Sequence, residues 1–124
     1  MTSTLGEDKH MVTAFGKFLR KLRVEQELVL REMAESLGVS SAQLSAMELG
    51  KRTIQPNLAK KIVDTYGVSS VQEVEQLIDV SQPTLKTDLT SGNDKQRETM
   101  IMFARAFDEL SDDQLKSVQE IIMN

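Results

Sequence analysis

Hydrophobic residues recur at helical spacing in five segments of the first 80 positions. Within each segment they repeat at i, i+3, i+4 or i+7, which is the period of one face of an α-helix. The segments cover residues 13–26, 30–38, 40–50, 56–67 and 70–78. The pattern therefore predicts a packed domain of five short helices over residues 13–80.

Residues at the ends of these segments match the chemistry of helix boundaries. Ser40 precedes Gln43, and Ser70 precedes Glu73, at the spacing of a capping box, in which each side chain accepts a hydrogen bond from the other residue's backbone N–H. Gly38 follows the second segment and suits the left-handed conformation that ends a helix. Pro56 is expected in the first turn of the fourth helix.

The helical period breaks at Pro83. Apolar and polar residues then alternate over residues 85–89, and residues 91–94 have the composition of a turn. This pattern predicts a linker over residues 81–93, within which the alternating segment could form a short strand.

Two amphipathic helices are predicted over residues 94–124, after the capping residues Asn93 and Ser111. Two helices bury little apolar area against each other, so we expect this helical hairpin to mediate self-association. Packing against residues 13–80 would be another way to cover its apolar face. The predicted self-association residues are Met100, Phe103, Phe107, Leu115, Val118 and Ile122.

Composition narrows the chemistry of the chain. The 124 residues contain no cysteine, which excludes disulfides and zinc–thiolate sites. The single histidine, His10, lies in residues 1–12, which we predict to be a flexible arm, so we predict no catalytic residue, no metal, no other cofactor and no enzyme. No apolar run reaches the roughly 20 residues of a membrane helix, and the arm lacks a signal-peptide core, so a cytoplasmic protein without membrane contact is expected.

Charge is distributed unevenly along a chain whose net charge is −4. Ten basic residues stand against eight acidic ones up to Gly67, and five stand against eleven after it. Because a basic surface attracts phosphate, the first part is the candidate for contact with nucleic acid. The acidic second part is expected to face protein or water.

Residues 28–50 carry the motif with the clearest chemical meaning. Two short helices are joined by a glycine-led turn, which is the spacing of a helix-turn-helix. In the second of these helices Leu44 and Met47 are predicted to face the core, whereas small residues on the other side would allow close approach to base edges in a major groove about 12 Å wide.

Residues 18–68 resemble the lambda-repressor and Cro type of helix-turn-helix, the XRE-like family of phage and bacterial regulators. The most specific match is REMAESLGVSSAQLSAMELGKR. The resemblance implies an all-α fold with a five-helix, lambda-repressor-like DNA-binding domain. It also implies that Arg23 and Glu48 form an ion pair. Leu30 and Leu49 depart from the polar residues common at their positions in the family.

The resemblance also implies which residues contact double-stranded DNA. The predicted base contacts are Ser41, Ala42, Gln43, Ser45 and Ala46. The predicted phosphate contacts are Arg31, Ser40, Lys51, Arg52 and Asn57. Serine and alanine make few bidentate hydrogen bonds, so specificity is expected to depend on thymine methyl contacts and DNA shape.

Two functions follow from these expectations. The first is a sequence-specific transcriptional repressor, of phage or mobile-element type, that binds a palindromic operator as a homodimer. The alternative is an antitoxin, whose acidic C-terminal part covers a basic toxin while the helix-turn-helix regulates its own operon.

Overall fold

Helices account for most of residues 11–124, the part of the chain that the computed structural model describes. The seven α-helices in this range are α1 (Ala14–Gln26), α2 (Leu30–Leu37), α3 (Ser41–Glu48), α4 (Leu58–Tyr66), α5 (Val71–Ser81), α6 (Asp94–Ala106) and α7 (Asp112–Met123), with a 3₁₀ turn at Phe107–Glu109 after α6. The predicted all-α class is confirmed. Residues 1–10 of the predicted arm lie outside the described residues.

The chain divides into two units between Leu85 and Lys86. In the first unit α1 packs against α3 and α5, α2 packs against α3 and α4, and α4 packs against α5. All five helices, and the loop between α3 and α4, contribute fully buried side chains. These include Phe15, Leu19, Met33, Leu44, Ile54, Ile62 and Val74. One continuous core therefore fixes the position of α3.

Capping boxes set the starts of four helices, α3, α5, α6 and α7, where the sequence predicts them. Ser70 accepts from the backbone N–H of Glu73 (3.1 Å), and the Glu73 carboxylate accepts from Ser70. The hydroxyl of Ser69 and then the N–H and hydroxyl of Ser70 donate to this carboxylate, which lowers the pKa of Glu73 because the charged form is stabilised. This cap fixes the start of α5.

The fourth helix begins later than its sequence suggests. The sequence predicts Pro56 in its first turn, but α4 starts at Leu58. The backbone N–H of Leu58 bonds to Gln55, and that of Ala59 bonds to Pro56, three residues back in each case. A tight turn around Pro56 and Asn57 therefore leads into the helix instead of forming part of it.

The expected linker is also shorter, and no strand forms in residues 11–124. Ser81, placed in the linker by its sequence, is the buried last residue of α5, and its hydroxyl accepts from the backbone N–H of Phe15 (3.0 Å). Gln82 is also tied to the first unit, through Ile54. The alternating residues 85–89 have no neighbouring strand to pair with, so their alternation does not produce a strand.

The second unit consists of α6, the 3₁₀ turn and α7, and none of their residues is fully buried. Phe103, Leu115 and Val118 are half-buried. Met100, Phe107 and Ile122 are exposed, and the Phe103 and Phe107 rings meet edge to face at 6.3 Å. The predicted self-association residues thus differ in exposure.

No helix in residues 11–124 combines the length and apolar character that crossing a membrane requires. No group of His, Asp and Glu side chains in the same range is arranged to hold a metal ion.

Candidate nucleic-acid interface

A three-residue turn, from Gly38 to Ser40, joins α2 to α3. Gly38 has a φ of 75°, a left-handed conformation that strains residues with a Cβ atom. The N–H of Gly38 bonds to the Glu35 carbonyl (3.2 Å) and that of Val39 bonds to the Ala34 carbonyl (3.0 Å), which closes the end of α2 in a Schellman motif. This motif changes the direction of the chain within a short turn, so α3 begins close to the end of α2 and the two helices pack together.

Helix α3 has one buried side and one accessible side. Leu44 and Met47 are buried in the core, as their spacing predicts. Ala42 is exposed, and the other predicted base-contacting residues are partly accessible, namely Ser41, Gln43, Ser45 and Ala46. The small side chains on this accessible side leave the helix backbone open to close approach by a DNA groove.

Ser40 and Gln43 cap the start of α3 in the free protein. The Ser40 hydroxyl accepts from the Gln43 N–H (3.0 Å), and the Gln43 Oε1 atom accepts from the Ser40 N–H (2.9 Å). The hydroxyl hydrogen of Ser40 and the two amide hydrogens of Gln43 are not used in this cap. Both residues therefore keep donors for a further acceptor while the helix stays capped.

The C-terminal end of α3 is held by charged groups from α1. The Glu48 carboxylate is 1% exposed, and both Nη atoms of Arg23 donate to it, with 3.0 Å between Nη2 and Oε1. The Arg20 Nε atom also donates to Glu48 (3.3 Å) from a half-exposed position. The ion pair of Arg23 with Glu48 that the resemblance implies is therefore present, and Arg20 is a second partner of the same carboxylate.

Backbone contacts hold the same end of α3. The N–H and the hydroxyl of Thr13 both donate to the Glu48 carbonyl oxygen, at 3.0 Å and 2.9 Å. A Cβ atom at Gly16 would collide with that carbonyl oxygen, so the glycine allows α1 to lie against the end of α3. Helix α3 is therefore fixed at its C-terminal end while its N-terminal half remains accessible.

The loop between α3 and α4 presents Lys51, Arg52 and Asn57, all exposed. Its middle is fixed by Ile54, whose side chain is buried. The Gln82 side chain accepts from the Ile54 N–H (2.8 Å) and donates to the Ile54 carbonyl (2.6 Å). This two-point contact holds the basic loop beside α3. Arg31 is exposed near the start of α2.

Residues that position this surface were not all apparent from the sequence. Gln82 and Thr13 act on partners 28 and 35 positions away, and no local pattern marks such contacts. Arg20 lies one turn before Arg23 on α1, so the helical period could have identified it as a second partner of Glu48.

The short helix, the glycine turn and the supported second helix with an accessible small-residue side define a helix-turn-helix. A comparison with models of protein families matches residues 14–77 to the helix-turn-helix domain, which is more than half of the chain. The chain therefore belongs to this helix-turn-helix family, which supports a DNA-binding regulator. Searches of curated proteins and of solved structures found no match.

Proposed function

We propose that the chain is a sequence-specific transcriptional repressor that places α3 in the major groove of a palindromic operator. The observation that carries this proposal is the geometry of α3, which is held at Glu48 by Arg23 and Thr13 and is accessible at residues 41–43, 45 and 46. A helix supported from behind in this way can enter a groove without moving relative to its domain.

Two sets of residues contact different parts of the DNA, the bases and the phosphates. Base contacts come from Ser41, Ala42, Gln43, Ser45 and Ala46. Phosphate contacts come from Arg31, Ser40, Lys51, Arg52 and Asn57. The phosphate contacts set the position of the protein on the duplex, and the base contacts, together with DNA shape, set the preferred sequence.

The repressor acts as a homodimer formed through the second unit. None of the residues of α6 and α7 is buried, although Phe107 and Ile122 are large apolar side chains. A helical pair with an uncovered apolar face gains stability by burying that face against a second copy. A symmetric dimer presents two α3 helices to half-sites one helical turn apart, about 34 to 36 Å.

A second candidate is the antitoxin of a toxin–antitoxin pair, favoured by the excess of acidic residues after Gly67 and by the uncovered apolar side chains of α6 and α7. Such a surface suits a basic protein partner. Copurification of a small basic protein encoded by the neighbouring gene would favour the antitoxin, and a stable homodimer without such a protein favours the repressor.

The test of DNA binding is a mobility-shift titration with the DNA upstream of the gene, against a scrambled duplex of equal length, at two salt concentrations. We expect a shifted complex that survives scrambled competitor at the higher salt. Equal affinity for both duplexes would contradict sequence-specific binding.

Replacing Arg52 with alanine should weaken binding to every duplex and lower the salt slope by about one, because one phosphate contact is lost. Gln43→Ala should instead reduce the preference for operator over scrambled DNA by about 1 to 3 kcal/mol. Affinities measured at several salt concentrations on both duplexes separate these effects. Identical losses on both duplexes for both variants would refute the assignment of roles.

A further inference from the structure

A groove of about 230 Å³ lies beside α3, between the α2–α3 turn, the α3–α4 loop and the first turns of α4. Arg52 and Lys61 line it together with the amide side chains of Gln43, Gln55 and Asn57. None of the described residues that line it is acidic. Two cations without a neighbouring carboxylate, in a concave surface, create a positive potential that attracts anions.

Lys61 is directed to this groove by a hydrogen bond. Its Nζ atom donates to the Leu37 carbonyl oxygen at the end of α2 (3.2 Å). An ammonium group has three N–H donors, so two remain for another acceptor. A Cβ atom at position 38 would lie 2.9 Å from this Nζ atom, so Gly38 leaves the space that the ammonium occupies. Among the described residues Lys61 has no ion-pair partner.

The neighbouring Lys60 has a different environment. Its Nζ atom lies 2.8 Å from the Asp64 carboxylate one turn further along α4. The hydrogen bond and the charge of Asp64 raise the pKa of Lys60, so its charge is compensated within the same helix. Lys60 does not line the groove. The two adjacent lysines therefore have the same chemistry but different electrostatic partners.

We propose that this groove binds a backbone phosphate of the operator DNA, with Lys61 as a direct phosphate ligand beside Arg52 and Asn57. The inference rests on the proposed function, because it assumes that α3 enters the adjacent major groove. Arg52 and Asn57 come from the loop before α4, and Lys61 lies one helical turn after Asn57, so three side chains with N–H donors line the same groove. The contact extends the phosphate-binding surface beyond the loop and onto α4.

The experiment compares Lys61→Gln with Lys60→Gln on a duplex from the region upstream of the gene. Each variant removes one positive charge from α4, so long-range effects of net charge are matched. Lys61→Gln should weaken binding roughly three- to tenfold near 0.15 M salt and lower the salt slope by about one. Lys60→Gln should leave the slope unchanged. Lys61→Arg should restore most of the lost affinity because the charge is retained.

Glutamine at position 61 keeps a donor for the Leu37 carbonyl, so the fold should persist, and the thermal midpoint of each free variant checks this. An unchanged slope for Lys61→Gln, with or without a lower thermal midpoint, would overturn the inference and leave Lys61 as a helix-capping residue. Absence of operator preference in the unmodified protein would instead refute the proposed function itself. The two failures are therefore separate results.

A titration with inorganic phosphate is a second test, because a free phosphate compound offers the groove the same chemistry as the DNA backbone. The amide NMR signals of Gly38 and Lys61 are followed as phosphate replaces chloride at constant ionic strength. The inference expects no saturation at low millimolar phosphate, since the backbone phosphate is held by the whole duplex. Saturable low-millimolar binding would assign the groove to a small phosphorylated ligand and overturn the proposal.

Discussion

Replacing Glu48 with alanine should lower the free energy of unfolding of the chain by about 3 to 5 kcal/mol. The carboxylate is 1% exposed, and its main partner, Arg23, has a side chain only 12% exposed. Removing the acid leaves a guanidinium group inside the protein with no opposite charge. The other donor to the carboxylate, Arg20, is half exposed and can turn to water, so the cost arises at Arg23. Urea denaturation followed by circular dichroism measures the change.

Two variants separate this explanation from a general effect of losing a carboxylate. Asp64→Ala removes the acid of the exposed Lys60–Asp64 pair and should change the unfolding midpoint little, because exposed pairs contribute little. The double variant Arg23→Met and Glu48→Met removes both buried charges and should recover much of the loss. A Glu48→Ala variant as stable as Asp64→Ala would show that the buried pair does not hold the end of α3.

The parts of the fold predicted from sequence are those determined by near neighbours. The end of α2 at Gly38, the cap of Ser40 with Gln43 and the buried positions Leu44 and Met47 all depend on residues within one or two turns. These interactions leave a visible spacing, because a helix brings positions three and four apart together. The helix-turn-helix itself can therefore be identified from the sequence.

The parts that the sequence did not reveal depend on contacts between distant segments. The hydroxyl of Ser81 accepts from Phe15, 66 positions away, and so belongs to the core and not to the linker. Gln82 holds the basic loop only because α5 ends beside Ile54. Lys61 lies beside Arg52 and Asn57 only once α4 has packed against α2. Such contacts have no fixed spacing, so periodicity does not reveal them.

In the second unit the helices are predicted from sequence, but the surface that covers them is not. Its apolar spacing predicted two amphipathic helices, and α6 and α7 form where the sequence places them. The pattern alone does not say what covers the apolar face. Exposure divides the predicted residues into half-buried Phe103, Leu115 and Val118 and exposed Met100, Phe107 and Ile122. The exposed set is the part available to a second copy, and Phe107 connects it to the half-buried set through its ring contact with Phe103.

The double variant Phe107→Ser and Ile122→Ser should convert the proposed dimer to a monomer and weaken operator binding roughly 100-fold or more. These side chains are 61% and 75% exposed in the single chain, so serine there removes little intrachain packing beyond the edge-to-face contact of Phe107 with Phe103. In a dimer each would be buried on both copies, and each buried side chain contributes about 1.5 to 3 kcal/mol. Losing the dimer separates the two α3 helices, so the second half-site no longer benefits from a high effective concentration.

The matched control is Val24→Ser with Val80→Ser, which removes two valines 78% and 76% exposed in the first unit. Neither pair changes the charge of the protein, so electrostatic attraction to DNA is the same in both. Sedimentation equilibrium gives the association state, and titration of full operator and isolated half-site gives the affinities. We expect the Phe107/Ile122 variant to bind the full operator more weakly and to bind the isolated half-site with unchanged affinity. If the Phe107/Ile122 variant stays dimeric and the Val24/Val80 variant dissociates, self-association belongs to the first unit. A dimer dissociates only when apolar side chains are removed from the surface that it buries.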